Sequence, residues 1–313
     1  MKIDSIVFYL TTPTLNDKWY NITYIMNGLF RIRQTDSITG NRMAKHITSI
    51  ISSGFGKFAS KAFPSAVQKL INTGYVKLMG LDMSEFKEPA DYPTLNKLFT
   101  RAFETPRALP EDENALISGV DALITDAGTI REGKAYQIKG MSYRIEELFG
   151  EYHKEAVDKV EGGEFINFYL SPKDYHRYHM PMRLKVKSLT HIPGKHYPVN
   201  FPLLRHKVDL FIENERVVIE CEDEKGRTQV LVLVAALNVG QMVVTFEEKV
   251  RTNSEIREPV HYEYEDFWVE RGEFYGWFEM GSTILTFSEK GSIFPEVAIN
   301  QKVKFTDILG KVL

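Results

Sequence analysis

Short apolar runs punctuated by glycines, an acid-free stretch of helical periodicity towards the N-terminus, and the change between them near residues 88–93 predict an α+β protein. N-terminal amphipathic helices precede a mainly antiparallel β domain, with the division falling between 1–90 and 91–313. The 313 residues suffice for a full core, and 43 % hydrophobic against 26 % charged residues is an ordinary soluble globular balance. The single Cys221 excludes an intrachain disulfide framework and a cysteine-based zinc site. No apolar run is long enough to span a bilayer. Met1 to Leu10 has no basic start and no small-residue cleavage site, so a cytoplasmic address, in solution or on a membrane surface, is expected.

Residues 1–40 mix aromatic and polar side chains without a clear period. From Asn41 the pattern becomes helical, with Met43, Ile47, Ile50, Ile51, Phe55 and Phe58 at three- and four-residue spacings. Pro64 breaks that run, and Ser65 is expected to cap a second helix carrying Val67, Leu70, Ile71, Tyr75, Leu78 and Met79. No acidic residue stands between Asp36 and Asp82, a window that holds Arg42, Lys45, Lys57, Lys61, Lys69 and Lys77. The chain as a whole is at −3, so this is a basic segment on an acidic protein, which suits an anionic partner. An apolar stripe beside lysines fits a helix lying in a membrane interface, where each basic residue adds roughly 1 kcal/mol. It equally fits two core-packed helices with lysines in water. Nucleic acid fits less well, because the basic residues alternate with aliphatics rather than stacking aromatics.

Glu88 to Pro93 reads as a linker, followed by a short helix within Thr94 to Phe103. Beyond Ala115 the β-prone runs are Ala115-Leu116-Ile117, Leu123-Ile124, Leu184 to Val186, Val217 to Ile219 and Val230 to Ala236, with one helix expected in Ser142 to Gly150. Asn238-Val239-Gly240 interrupts the most apolar stretch, which suits two buried strands joined by a turn.

Four features could carry chemistry. In Tyr175-His176-Arg177-Tyr178-His179 two histidines stand three apart. They suit acid–base work near neutral pH better than zinc, for which no third ligand has a convincing spacing. Asp121 is a turn aspartate or the acid that orients a histidine. Gly281-Ser282 is a turn or a self-cleavage site, because glycine leaves its carbonyl open to the serine hydroxyl. Gly291-Ser292 is a second such pair, read as a turn.

Taken in order, Tyr175 to His179, His191-Ile192-Pro193-Gly194, Asn214-Glu215-Arg216-Val217-Val218 and Gly281-Ser282-Thr283 resemble the phosphatidylserine decarboxylase proenzyme family. Leu98-Phe99-Thr100-Arg101 and Lys139-Gly140 to Leu148 resemble that family's upstream segments, so the likeness covers roughly residues 60–313. Two departures are Met280 where the family has leucine, and Ala122 where it has glycine after the aspartate.

The resemblance implies a proenzyme cleaved between Gly281 and Ser282, with the small C-terminal chain retained. His179, oriented by Asp121, would deprotonate Ser282, and Ser282 would become a covalent pyruvoyl group. That group would serve as the electron sink for converting phosphatidylserine to phosphatidylethanolamine, with His176 as proton donor. No metal is implied, and a homodimer is left open. Residues 41–80 would hold the enzyme on the cytoplasmic face of the cell membrane as a peripheral protein. The competing readings are a pyruvoyl decarboxylase of a soluble amino acid and a non-catalytic, β-rich lipid-binding protein.

Overall fold

Thr228–Val234 is buried at every position, so this run of valine and leucine must sit between two other strands with both faces covered. A computed structural model describes residues 56, 58–136, 142–195, 210–235, 241–250, 252, 256–279 and 282–313. Residues 1–40, Arg42, Lys45, Lys57 and most of the first expected helix lie outside the described residues. So do Lys139-Gly140, Val199-Asn200, Asn238 to Gly240, Met280, Gly281 and the side chain of Ser282. The chain divides into Met1–His46 and Ile47–Leu313, and the second unit is the one described here.

The helices of that unit are α1 (Ser65–Met79), α2 (Leu95–Phe99), α3 (Ile145–Phe149), α4 (Lys154–Lys159) and α5 (Leu210–Glu213). Its strands are β1 (Ala115–Ile117), β2 (Ala122–Thr129), β3 (Lys134–Tyr136), β4 (Ser142–Arg144), β5 (Glu164–Leu170), β6 (Arg177–His179), β7 (Leu184–Ile192) and β8 (Arg216–Glu222). They continue as β9 (Thr228–Val234), β10 (Met242–Val244), β11 (Val260–Val269), β12 (Phe274–Phe278), β13 (Ser282–Ser288), β14 (Ile293–Pro295), β15 (Lys302–Val303) and β16 (Ile308–Val312).

An eight-stranded antiparallel sheet in the order β11-β7-β8-β9-β13-β5-β2-β15 forms the body. Smaller sheets, β10-β12-β6, β1-β16-β14 and the two-stranded β3-β4, accompany it. The expectation of a mainly antiparallel β domain with a few helices is met. In β7 the side chains alternate at first, with Lys185 and Lys187 outward and Val186 inward, as the two-residue strand period requires. One core spans these sheets and includes Phe149, Phe165, Val186, Val218, Leu233, Phe278 and Phe287.

Strands β9 and β10 flank the Asn238 interruption as two buried strands and belong to different sheets. Two local expectations need correction. The segment expected to be one helix from Ser142 is strand β4 followed by helix α3. Helix α1 starts at Ser65 itself, with Pro64 at the cap position and no side-chain cap bond. Its other end follows rule, with Gly80 in the left-handed region at φ 61°.

Helix α1 presents its polar residues inward. Gln68 and Asn72 are buried, with Gln68 Nε2 donating to Asn72 Oδ1 at 2.8 Å. Asn72 Nδ2 donates to the Pro89 and Tyr92 carbonyls at 2.8 and 2.9 Å, which ties α1 to the segment leading into α2. Ile71, Tyr75 and Val76 also pack inward, against Tyr92, Leu95 and Leu98. Leu70, at 74 % exposure, and Leu78, at 59 %, point outward beside the exposed Lys69 and Lys77. Thr94 caps α2 by accepting the Lys97 amide at 3.1 Å.

Candidate active site

The site lies where the large sheet gives way to the β10-β12-β6 sheet. Two connections run between them. Residues 171–175 lead from Leu170 of β5 to His176, and residues 279–281 lead from Phe278 of β12 to Ser282. Both ends are pinned. Ser282 pairs with Leu170 across β13 and β5, and the Phe278 amide donates to the His176 carbonyl at 2.9 Å. The reach of residues 279–281 therefore keeps the Ser282 backbone within about 14 Å of Phe278. Gly291-Ser292, by contrast, is a turn after β13, with Gly291 at φ 76° and Ser292 Oγ donating to the Glu289 carbonyl.

The 171–176 connection is braced from within and from α2. Asp174 Oδ2 accepts the Ser171 amide at 2.7 Å, and the Asp174 amide donates back to the Ser171 carbonyl. The Phe99 ring lies on His176 with centroids 4.1 Å apart, and Arg177 Nε donates to the Thr100 carbonyl. Arg101 Nη2 donates to the Lys173 and Asp174 carbonyls at 2.9 and 3.4 Å. The Tyr75 hydroxyl of α1 reaches the Pro172 carbonyl at 3.5 Å.

His176 is fully buried. Its Nδ1 bonds the Asp174 carbonyl at 2.8 Å. A carbonyl only accepts, so Nδ1 carries the proton and Nε2 is left as a lone pair. That Nε2 is buried and has no hydrogen-bond partner. Burial lowers the imidazole pKa to about 3, so the ring is neutral at physiological pH.

His179 stands at the end of β6. Its Nδ1 bonds the Gly272 carbonyl at 2.9 Å, which leaves Nε2 as the acceptor facing the Tyr175 hydroxyl at 3.0 Å. Burial lowers its pKa to about 4. The His179 amide donates to the Gly119 carbonyl at 2.9 Å, and a Cβ on Gly119 would lie 2.1 Å from the His179 carbonyl oxygen. Only glycine permits that approach.

Among the described residues no hydrogen bond joins Asp121 to His179, which the resemblance has it orient. Arg107 takes both of its carboxylate oxygens, at 2.6 and 3.0 Å, and the Phe305 amide donates to Oδ1 at 2.7 Å. Glu85 holds the other edge of Arg107 at 2.7 and 2.8 Å. These two carboxylates keep Arg107 firmly protonated although burial alone would lower its pKa. The link from Asp121 to His179 is indirect: Phe305 offers its backbone to Asp121 and stacks its ring on His179 at 3.8 Å. Ala122, where the family has glycine, opens β2 with no positive φ, so the turn carries no strain.

Among the basic residues expected at a membrane, Lys61, Lys69 and Lys77 are exposed. The remaining motifs are structural. His191 Nε2 bonds Glu215 Oε1 at 2.8 Å in the interior, and a Cβ on Gly194 would strike the Glu215 backbone at 2.4 Å. Arg216 donates to the carbonyls of Glu147, Leu148, Ile212 and Asn214. Sequence reasoning missed Arg107, Phe305 and Gly272, which no local pattern marks. It quoted Arg101 without giving it a role.

A pyruvoyl group at residue 282 fits what surrounds it. Thr283 Oγ1 and His176 Nε2, at the two ends of the connections, are buried polar atoms without hydrogen-bond partners among the described residues, which leaves them open to a group formed at residue 282.

The family model described as phosphatidylserine decarboxylase matches residues 95–311. The chain is 40 % identical over 258 residues to the phosphatidylserine decarboxylase proenzyme of Campylobacter jejuni, covering 80 % of this chain and 94 % of that one. It is 39 % identical over 266 residues to the Helicobacter pylori proenzyme, covering 85 % and 97 %. It is 34 % identical over 263 residues to the Marinobacter nauticus proenzyme, covering 82 % and 91 %. The chain belongs to the phosphatidylserine decarboxylase family and is a decarboxylase.

Proposed function

We propose that this decarboxylase is made as a proenzyme that cuts itself between Gly281 and Ser282, and that it then converts phosphatidylserine to phosphatidylethanolamine at a membrane surface. The observation that carries this reading is the pinning of Ser282 and of a fully buried, partnerless His176 Nε2 at the ends of two adjacent connections.

In the self-cleavage, His179 Nε2 takes the proton of the Ser282 hydroxyl as the oxygen attacks the Gly281 carbonyl. The peptide bond becomes an ester. Loss of the α-proton of residue 282 expels the upstream chain as a carboxylate and leaves dehydroalanine. Hydrolysis of that residue, with release of ammonia, gives a pyruvoyl N-terminus. Tyr175, whose pKa burial raises, remains a phenol and must yield the His179 lone pair to the serine. The Gly272 carbonyl and the Phe305 ring hold the imidazole in place.

When formed, the pyruvoyl carbonyl supplies the electron sink for loss of CO2. His176 manages the proton. Its Nε2 returns a proton to the substrate α-carbon after CO2 has left. Its depressed pKa makes the protonated form a strong acid, which favours the return.

Topology supports retention of the small chain. Residues 282–313 supply β13, hydrogen-bonded to β5 on one side and β9 on the other, as well as β14, β15 and β16. The cut removes no strand from any sheet.

The membrane reading rests on α1. A helix that buries glutamine and asparagine while turning Leu70 and Leu78 to the outside between lysines suits an anionic lipid interface. The enzyme would lie peripherally on the cytoplasmic face of the cell membrane. A soluble amino-acid substrate leaves that outward apolar face without a purpose.

Mass spectrometry of the purified protein tests the central step. The wild type is expected as two chains, the smaller starting at residue 282 with a blocked N-terminus, and Ser282→Ala as one chain. A wild type that stays whole, with no carbonyl trapped by hydrazine, would overturn the proposal.

A further inference from the structure

We propose that Arg101 holds the phosphodiester of the substrate headgroup, with further polar contributions from Ser171 and His176. This rests on the reading of phosphatidylserine as substrate.

Arg101 is 2 % exposed, and among the described residues no carboxylate forms a salt bridge with it, Asp121 and Asp174 acting on it only through space. Its hydrogen bonds are those of Nη2 to the Lys173 and Asp174 carbonyls, and its guanidinium lies 4.5 Å from the Phe86 ring centre. Nε and Nη1 are buried with no partner. A guanidinium has five N–H donors and stays charged in proteins, so a buried one without a counter-anion is destabilising. Such a group is stabilised once an anion reaches its free N–H groups, and phosphate is the anion that guanidinium geometry suits best together with carboxylate.

The location selects the ligand. Arg101 Nη2 and His176 Nδ1 bond the same Asp174 carbonyl, so the cation and the proposed proton carrier flank one point of the 171–176 connection. Ser171 Oγ, at the start of that connection, is also buried and unpartnered. In a serine phosphodiester the α-carbon and the phosphorus are separated by only a few bonds. A site with His176 at the carbon therefore has Arg101 within reach of the phosphate.

The reaction decides between the two anionic groups of the substrate. A cation paired with the carboxylate would stabilise the ground state and lose its partner as neutral CO2 forms, which would slow the reaction. A cation on the phosphodiester meets the same charge before and after. Arg101 so placed contributes uniform binding and orients the headgroup. Exclusion of water around the guanidinium strengthens that hold. Tyr75 and Tyr92 lie close enough to perturb Arg101.

The test uses the full-length, processed enzyme and Arg101→Gln, with Arg101→Lys beside it. Two substrates are compared in the same detergent: phosphatidylserine, and an O-alkyl ether of serine that keeps the amine and carboxylate but has no phosphate. Arg101→Gln is expected to lose about a hundredfold in kcat/KM for phosphatidylserine, mainly through KM, and to change little with the ether. Self-cleavage should proceed, and Arg101→Lys should recover part of the loss. An equal loss on both substrates, or none on either, overturns the assignment.

Calorimetric binding of glycerophosphoserine gives a second readout. Wild type should bind it at least tenfold more tightly than the phosphate-free ether. Equal binding overturns the assignment even where Arg101→Gln fails to fold. A wild type that binds the phosphodiester selectively but does not decarboxylate phosphatidylserine would refute the functional reading and leave this one standing.

Discussion

Two arginines are buried to nearly the same degree in this molecule, Arg101 at 2 % exposure and Arg216 at 5 %, and they are satisfied very differently. Arg216 spends its guanidinium on four backbone carbonyls and fastens helix α3 and the end of α5 to the start of β8. Burial lowers its pKa to about 10, which still leaves it charged. Arg101 uses one nitrogen on two carbonyls and leaves the other two nitrogens without a protein partner. Depth alone therefore does not separate a structural cation from a ligand-binding one. The count of unmet donors does.

The largest effect is expected at the satisfied arginine. Arg216→Gln strands several buried carbonyls and should lower unfolding stability by at least about 3 kcal/mol, read from urea midpoints of the unprocessed Ser282→Ala chain. A change under about 1 kcal/mol would erase the distinction drawn between the two arginines.

Next is acidity. His176 and His179 have folded pKa values of about 3 and 4, below the ordinary 6.5. Below pH 6.5 the unfolded chain takes up protons that the folded one refuses, so stability is full above that pH and falls as pH drops towards 4. The unfolding midpoint should decline over that window, and His176→Gln should decline less. An identical slope in both chains would mean that His176 is not held neutral.

The smallest effect concerns the outer face of α1. Leu70→Glu replaces an exposed side chain, so stability should hardly change, but sedimentation with phosphatidylserine-containing vesicles should weaken about tenfold. Unaltered vesicle binding would remove α1 from the membrane account.

Much of this was legible in the chain. The β-rich body, the short helix ahead of Phe103 and the histidine pair are all marked by local spacing, and Thr94 caps its helix as composition suggests. The register of Ser282 against Leu170 was not legible, because antiparallel pairing between distant segments leaves no local sign. The inward face of α1 was misleading for a physical reason. Its periodicity is shared by Ile71 and Tyr75, which pack inward, and by Leu70 and Leu78, which do not, while Gln68 and Asn72 fill the interior by bonding each other and two carbonyls. The hold of Arg107 on Asp121 was hidden too, since a salt bridge between side chains fourteen apart in a non-helical stretch has no signature.

The placement of β13 between two neighbours has a thermodynamic consequence. A chain cut at residue 281 folds as one molecule but melts as two, since unfolding would free the 282–313 fragment. Its melting temperature would then rise with protein concentration, as for any dissociating pair, whereas that of the uncut precursor would not. Cooling the melt would bring the fragments together again only by diffusion, so maturation exchanges a unimolecular fold for a bimolecular one.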